Sequence, residues 1–447
     1  MKIRYLKSAC VSVETNNVKI LMDPWLVDGE YYGSWYHYPK LEYDKEFFDN
    51  FDYIYVSHIH PDHFSKKTFE ILNKEIPVLI HKYSSPFLKM NIERLGFKVV
   101  ELAHNKKTEL KNGVSIDILS ADNCNPELCM KFMGCSHVET KFEMTQIDSL
   151  CVISNGKFNL LNINDCPFDL AKEAIKEINK KYNKIDFLLV GYAGAGPYPQ
   201  CFELTDKERE NAEQSKKIQF LNQAEKYIDL VKPDFYMPFA GTYTLSGFLS
   251  NLQYKRGVPE LEEALKFFKK SKLINQKKSK SVALNTYEYF DLELKKSSNE
   301  YIPFDENKKI KYIKNILSKK KFDYEYDSEV DLDDIDKLIP NAYNRMESKR
   351  KEINFKSETK VLIKLKKEKL LKISFDGSGF EYVSEIEKNN LKSFVQYDLS
   401  DKLLLRILKG PRFAHWNNAE VGSHIRFTRV PNKFERGLYH TMCFFHS

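Results

Sequence analysis

Apolar residues in the first part of this chain come in short runs separated by polar turns. Ala9–Glu14, Val18–Met22 and Tyr53–Val56 read as strands, as do Ile76–His81, Phe97–Leu102 and Ser115–Leu119. Ser149–Ser154, Phe158–Ile163 and Phe187–Val190 complete the set, and several are apolar at nearly every position, the pattern of strands covered on both faces. Between them, Asp169–Tyr182 and Asp206–Leu230 carry apolar residues at helical spacing. Asn155-Gly156, between two strand-like runs, predicts a tight hairpin. Strands and helices alternate to about residue 260, which predicts an α/β body over residues 1–265. A Lys/Ser/Asn-rich connection follows over 266–300. Residues 301–447, with strands at Thr359–Leu365, Leu370–Phe375 and Ser393–Tyr397, read as a smaller C-terminal α+β domain.

The run Tyr53–Val56 ends in Ser57-His58-Ile59-His60-Pro61-Asp62-His63, a His-x-His-x-Asp-His cluster. Three imidazoles and a carboxylate so close together are costly to bury unless a cation compensates them. Imidazole suits zinc or iron, and the carboxylate adds charge. The cluster falls in the turn after a strand, where open α/β sheets place their chemistry. Asp165 likewise ends the run Phe158–Ile163; it is a candidate metal bridge or a helix N-cap.

The His-x-His-x-Asp-His pattern, the two opening strands and the turn Asp23-Pro24-Trp25-Leu26 resemble the metallo-β-lactamase fold superfamily. Further landmarks are similar to the metallo-β-lactamase-like part of the CMP-N-acetylneuraminate hydroxylase family. They are Leu161–Cys166, Ala193-Gly194-Ala195-Gly196, Pro238–Gly241 and His415-Trp416-Asn417. The resemblance implies an αββα sandwich with a C-terminal α+β extension. It implies that His58 and His60 hold one metal ion, with His137 or His104 as third ligand. Asp62 and His63 would hold a second ion, and Asp165 would bridge the two. Asp62 and Asp165 are then also the candidate catalytic carboxylates. The ions would be one or two divalent cations, zinc or iron. A last histidine is expected near Phe235–Thr242, just before Gly241-Thr242, but Phe239-Ala240 stands there and no histidine falls between His137 and His415. His415 or His424 could fold back, or water or substrate could fill the position.

Other features bear on the same site. Glycines 194 and 196 follow the strand Phe187–Val190 and would let backbone N–H groups approach a phosphate or sugar, or would simply turn the chain. The aromatic stretch Trp25–Tyr38 reads as a lid over the site mouth, or as core or a dimer contact. Cys124, Cys129 and Cys135 lack a Cys-x-x-Cys pair and read as free thiols rather than a zinc site.

Composition narrows the classes. Of 447 residues, 42% are hydrophobic and 30% charged, an ordinary globular balance that admits two domains. No apolar run approaches the roughly 18–20 residues needed to span a bilayer, so no membrane partner is expected. Eight scattered cysteines and an opening that resembles no signal peptide predict a cytoplasmic protein. The net charge of +7 sits in lysine clusters without a recognition motif, which argues against nucleic acid and leaves attraction of an anionic substrate.

The functional expectation is therefore a metal-dependent enzyme. Hydrolysis of an anionic sugar or nucleotide-sugar by a metal-bound hydroxide is the first reading. The alternative is an iron-dependent oxygenase fed by a separate electron donor, since the Rieske Cys-x-His and Cys-x-x-His pair is not found here. A non-catalytic binding protein is the third.

Overall fold

The computed structural model describes residues 1–83, 85–120, 148–241, 243–366 and 369–447. Two sheets lie face to face. The first runs Lys296–Ser297, Tyr289–Asp291, Lys2–Lys7, Cys10–Thr15, Val18–Met22, Tyr53–Tyr55, Val78–His81 and Val99–Leu102. The second runs Lys280–Ser281, Phe235–Phe239, Phe187–Gly191, Asn159–Asn162, Ser149–Ser154, Ser115–Ser120 and Thr108–Glu109.

Alternation along each strand decides what meets what. Val11, Val13, Ile20, Met22, Tyr55 and Leu79 of the first sheet pack on Ile116, Ile118, Cys151, Ile153, Leu189 and Met237 of the second. The intervening residues point outward. Ile54, Val56, Val78 and Ile80 take up Phe48, Phe69, Leu88 and Ile92 from short helices on one side. Leu161, Leu188 and Val190 take up Ile175, Ile178, Tyr227 and Ile228 from the helices Phe168–Lys181 and Asp206–Val231 on the other. The result is the expected αββα sandwich.

The stretch 266–300 differs from the expected connection. It holds the helix Lys272–Lys277, and its short strands extend both sheets: Lys280 pairs with Phe235, and Phe290 pairs with Ile3. The outermost strands, Lys280–Ser281 and Lys296–Ser297, are lysine and serine, which suits edges, where exposed charge blocks further pairing. The C-terminal region forms a five-stranded sheet in the order Phe380–Val383, Leu370–Phe375, Ser357–Lys364, Phe394–Asp398 and Arg426–Val430. Its core is continuous with Trp25, Tyr31, Trp35, Tyr243 and Leu245 of the sandwich. Thus the C-terminal region packs over the loops at one end of the sandwich. No helix among the described residues is long and apolar enough to cross a membrane, and Cys10, Cys151, Cys166, Cys201 and Cys443 are free thiols.

Candidate metal centre

Strand register builds the site. Val18–Met22 and Tyr53–Tyr55 are parallel neighbours with Met22 opposite Tyr55, so the chain leaves both strands at the same level. Asp23 follows the first and Ser57 the second. Ser57 donates to Asp23 twice, from its backbone N–H at 2.7 Å and its hydroxyl at 2.8 Å. The second sheet is tied in by Ser149, whose hydroxyl donates to the Ser57 carbonyl at 2.8 Å. Ser149 opens a strand directly after Asp148, which brings Asp148 to the histidines.

Two groups of ligand-type atoms converge. His58, His60 and Asp148 form one; His58, His63 and Asp165 form the other, with all atoms within 4.8 Å of one another in each. His58 Nε2 lies 2.8 Å from His60 Nδ1 and 3.8 Å from Asp148 Oδ1. His63 Nε2 lies 3.4 Å from Asp165 Oδ2 and 3.6 Å from Asp62 Oδ2.

Each imidazole has an outer partner for its other nitrogen. The Ser57 hydroxyl, already donating to Asp23, accepts from His58 Nδ1 at 2.9 Å. Asn417 Oδ1 accepts from His60 Nε2 at 3.2 Å. Asp23 Oδ2 accepts from His63 Nδ1 at 2.9 Å. These outer partners would hold a proton on the outward nitrogen of each ring, so that neutral rings can offer their inner nitrogens as ligands, the arrangement of metal-binding histidines. Asp148 Oδ1 is buried with no hydrogen-bond partner. Such an atom is costly unless a cation meets it, so the donor set fits one or two divalent ions.

The charges agree. Burial, then the neighbouring His63 and His60, hold His58 well below the ordinary imidazole value. Burial opposes charge on His63 too, but the carboxylates of Asp165, Asp62 and Asp23 outweigh it and raise His63 well above that value. Burial pushes the Asp148 carboxyl up to about 6. Asp165 reaches solvent and is held low because the charge on His63 outweighs its burial.

Among the described residues, His104, His415 and His424 do not join the site. His137 and the cysteines 124, 129 and 135 lie outside the described residues, as does Thr242. His104 is bound elsewhere: its Nδ1 lies 3.2 Å from His81 Nε2 and accepts from the Ser120 N–H. His415 caps the helix Trp416–Val421, and His424 donates to the Tyr31 carbonyl at 2.7 Å. Phe239 is core, and Ala240 turns away with φ 56° to bond the Ser8 carbonyl. Gly194 has a packing reason, since a Cβ there would sit 2.5 Å from the Phe220 ring; Gly196, with φ 148°, faces open space. Sequence reasoning gave no role to Asp148, Asp23 or Tyr31. The Tyr31 hydroxyl donates to Asp62 Oδ1 at 2.6 Å, so the aromatic stretch is core that reaches the site.

The helix carrying Asn417 also carries Glu420, whose buried Oε1 has no hydrogen-bond partner. Burial pushes its carboxyl from 4.5 up to about 8. The folded protein therefore keeps a proton that the unfolded chain releases near 4.5, and stability falls as pH rises from about 4.5 to about 8. Glu420→Gln is expected to flatten this slope and to stabilise the protein at pH 9 by on the order of 2 kcal/mol. Denaturation midpoints of both proteins at pH 5 and pH 9 check it; parallel curves would contradict it.

Comparison with known proteins agrees with this picture. Residues 2–182 match the family model for a beta-lactamase superfamily domain. A putative Rieske 2Fe-2S iron-sulfur protein of Mycobacterium tuberculosis is 28% identical over 250 residues, covering 54% of this chain and 44% of the relative. The cytidine monophosphate-N-acetylneuraminic acid hydroxylase of Danio rerio is 23% identical over 252 residues, covering 54% and 38%. The chain thus spans less than half the length of these relatives. Among solved structures, CmlA, a diiron β-hydroxylase from Streptomyces venezuelae, is similar at TM-score 0.39 and 16% identity, over 63% of this chain and 53% of its own. An isothiocyanate hydrolase from Delia radicum gut bacteria is similar at TM-score 0.44 and 12% identity, over 65% and 99%. Residues 2–182, which contribute to the αββα sandwich, are thus similar to a beta-lactamase superfamily domain.

Proposed function

We propose that this protein is an iron-dependent oxygenase that hydroxylates an anionic sugar or nucleotide-sugar, with electrons from a separate donor. The observation that carries the reading is the convergence of Asp148 with His58 and His60. Three imidazoles on the first ion, as expected with His137, suit zinc hydrolysis. Two imidazoles and a carboxylate with open positions are the donor set of non-haem iron oxygenases. His63, Asp62 and Asp165 would hold a second ion through one imidazole and two carboxylates. When bound, iron at such a centre supplies dioxygen activation.

The protein's own residues orient and shield. Ser57, Asn417 and Asp23 fix the three imidazoles. Asp165 and His60, the partly exposed members, mark the side from which substrate would enter. The substrate class is carried over from the hydroxylase relatives, and the net charge of +7 suits an anion. A cytoplasmic setting with reduced thiols fits this reading; membrane and nucleic acid have no part in it.

Hydrolysis is the competing reading and has a distinct product. Iron-loaded protein is incubated with CMP-N-acetylneuraminate, a chemical reductant and mediator, and oxygen-18 dioxygen. A product carrying one labelled oxygen atom is expected. Cleavage products that take oxygen only from water would replace the oxygenase reading with the hydrolase one.

A further inference from the structure

The second metal position lacks the histidine expected near Phe239-Ala240. The segment that follows nevertheless reaches the site, through a neighbour. Leu245 pairs with Trp35 and Thr244 with Tyr36. Trp35 stacks on Tyr243 with centroids 3.4 Å apart and planes 7° from parallel. On its other side Trp35 meets Tyr31 at 4.3 Å, and the Tyr31 hydroxyl ends 2.6 Å from Asp62 Oδ1.

Tyr31 is held there against its own backbone preference. It has φ 51° and ψ 57°, and Tyr32 has φ 60° and ψ 30°. Two bulky residues in the left-handed region are strained and persist only where the surroundings over-determine them. The C-terminal region does so. Tyr324 lies 3.0 Å from His424 Nδ1, and His424 Nε2 donates to the Tyr31 carbonyl. Gly422 packs so closely that a Cβ would stand 3.0 Å from the Tyr31 Cβ. The Tyr32 hydroxyl accepts from the His415 N–H at 2.7 Å.

We propose that Tyr31 is a positioning residue for the second metal ion, binding one oxygen of Asp62 so that the other stands as ligand, in place of the constraint a last histidine would supply. This rests on the reading of His58, His60, Asp62, His63, Asp148 and Asp165 as a metal centre. The two oxygens of an aspartate are chemically equivalent, so a bond to one decides which is left as ligand. With Oδ1 taken by Tyr31, Oδ2 is the oxygen left facing His63 Nε2. The C-terminal region, which supplies no ligand among the described residues, thereby sets the geometry of the second ion through Tyr31. It acts on the first through Asn417.

The test is metal binding by the full chain, with activity left aside. Metal-free wild type, Tyr31→Phe, His424→Ala and His58→Ala are titrated anaerobically with Fe(II) against a competing chelator, after circular dichroism has checked their folding. Tyr31→Phe keeps the ring on Trp35 and removes only the hydroxyl. Wild type is expected to take two ions, and Tyr31→Phe to bind one of them about 10- to 100-fold more weakly with the other unchanged. His424→Ala should weaken the same ion by a smaller factor, and it carries the comparison if Tyr31→Phe misfolds. Wild-type affinity for both ions in both variants overturns the role of Tyr31, and so does equal weakening of both ions. If wild type takes no metal, or His58→Ala binds as wild type does, the metal centre itself is refuted and this role with it.

Discussion

Asp148→Ala is expected to remove the first metal ion and to lower turnover by on the order of 100-fold, with the metal-free protein no less stable than wild type. The two halves have one cause. Asp148 is a buried carboxylate with Oδ1 unbonded, and burial pushes its pKa up to about 6. In the metal-free protein it is a liability, because desolvation outweighs the attraction of His60 and His63, and Asp165 adds like charge. With a divalent ion it would be one of three anchors, with His58 and His60. Removing it should release the ion while relieving the apo protein. Mass-spectrometric metal counting and denaturant melts in chelator measure both. Unchanged metal content would mean that another residue completes the first site. Asp148→His makes the complementary change: three imidazoles should keep an ion but move the preference from iron toward zinc.

Asp23→Ala is expected to be the most damaging single change outside the metal ligands. Asp23 is fully buried and accepts from the Ser57 N–H, the Ser57 hydroxyl and His63 Nδ1. Truncation strands three donors where water cannot replace the acceptor. The expected loss is about 3–5 kcal/mol in the metal-free protein. Metal affinity should fall by about 10- to 100-fold as well, because His63 loses the bond that fixes its tautomer. Asp23→Asn separates the effects. It keeps the shape and one acceptor oxygen, so most stability returns, but its amide cannot accept from every donor. Urea melts in chelator and chelator competition give the two numbers. A stable Asp23→Ala that binds metal normally would show that strand register alone holds the site.

The sandwich was legible because its signal is local. Ser149–Ser154 and Leu370–Phe375 have the bounds that periodicity suggests, and Asn155-Gly156 closes a hairpin between paired strands. The cluster His58–His63 was legible for the same reason, being contiguous and placed at a strand end. Asp148 was not. A single aspartate before a strand resembles any loop carboxylate, and its meaning comes from the pairing of Ser149 with Ser120 and from the hydrogen bond to Ser57. The signal available was that a strand starting at Ser149 delivers the residue before it to the sheet end. Asp23 was visible as an Asp-Pro turn, yet its role depends on the register of Met22 against Tyr55. Tyr31, Asn417 and His424 are further still from local reading: bonds between residues 31 and 424, or 60 and 417, follow from how the C-terminal region packs.

The central claim is that His58, His60 and Asp148 make the first metal position one for iron. The most direct measurement is iron and zinc per chain, by mass spectrometry, in protein purified without chelator from cells grown with both metals. Close to two irons per chain with little zinc are expected, falling to about one in Asp148→Ala. Zinc at two per chain, unaffected by Asp148→Ala, would contradict the claim.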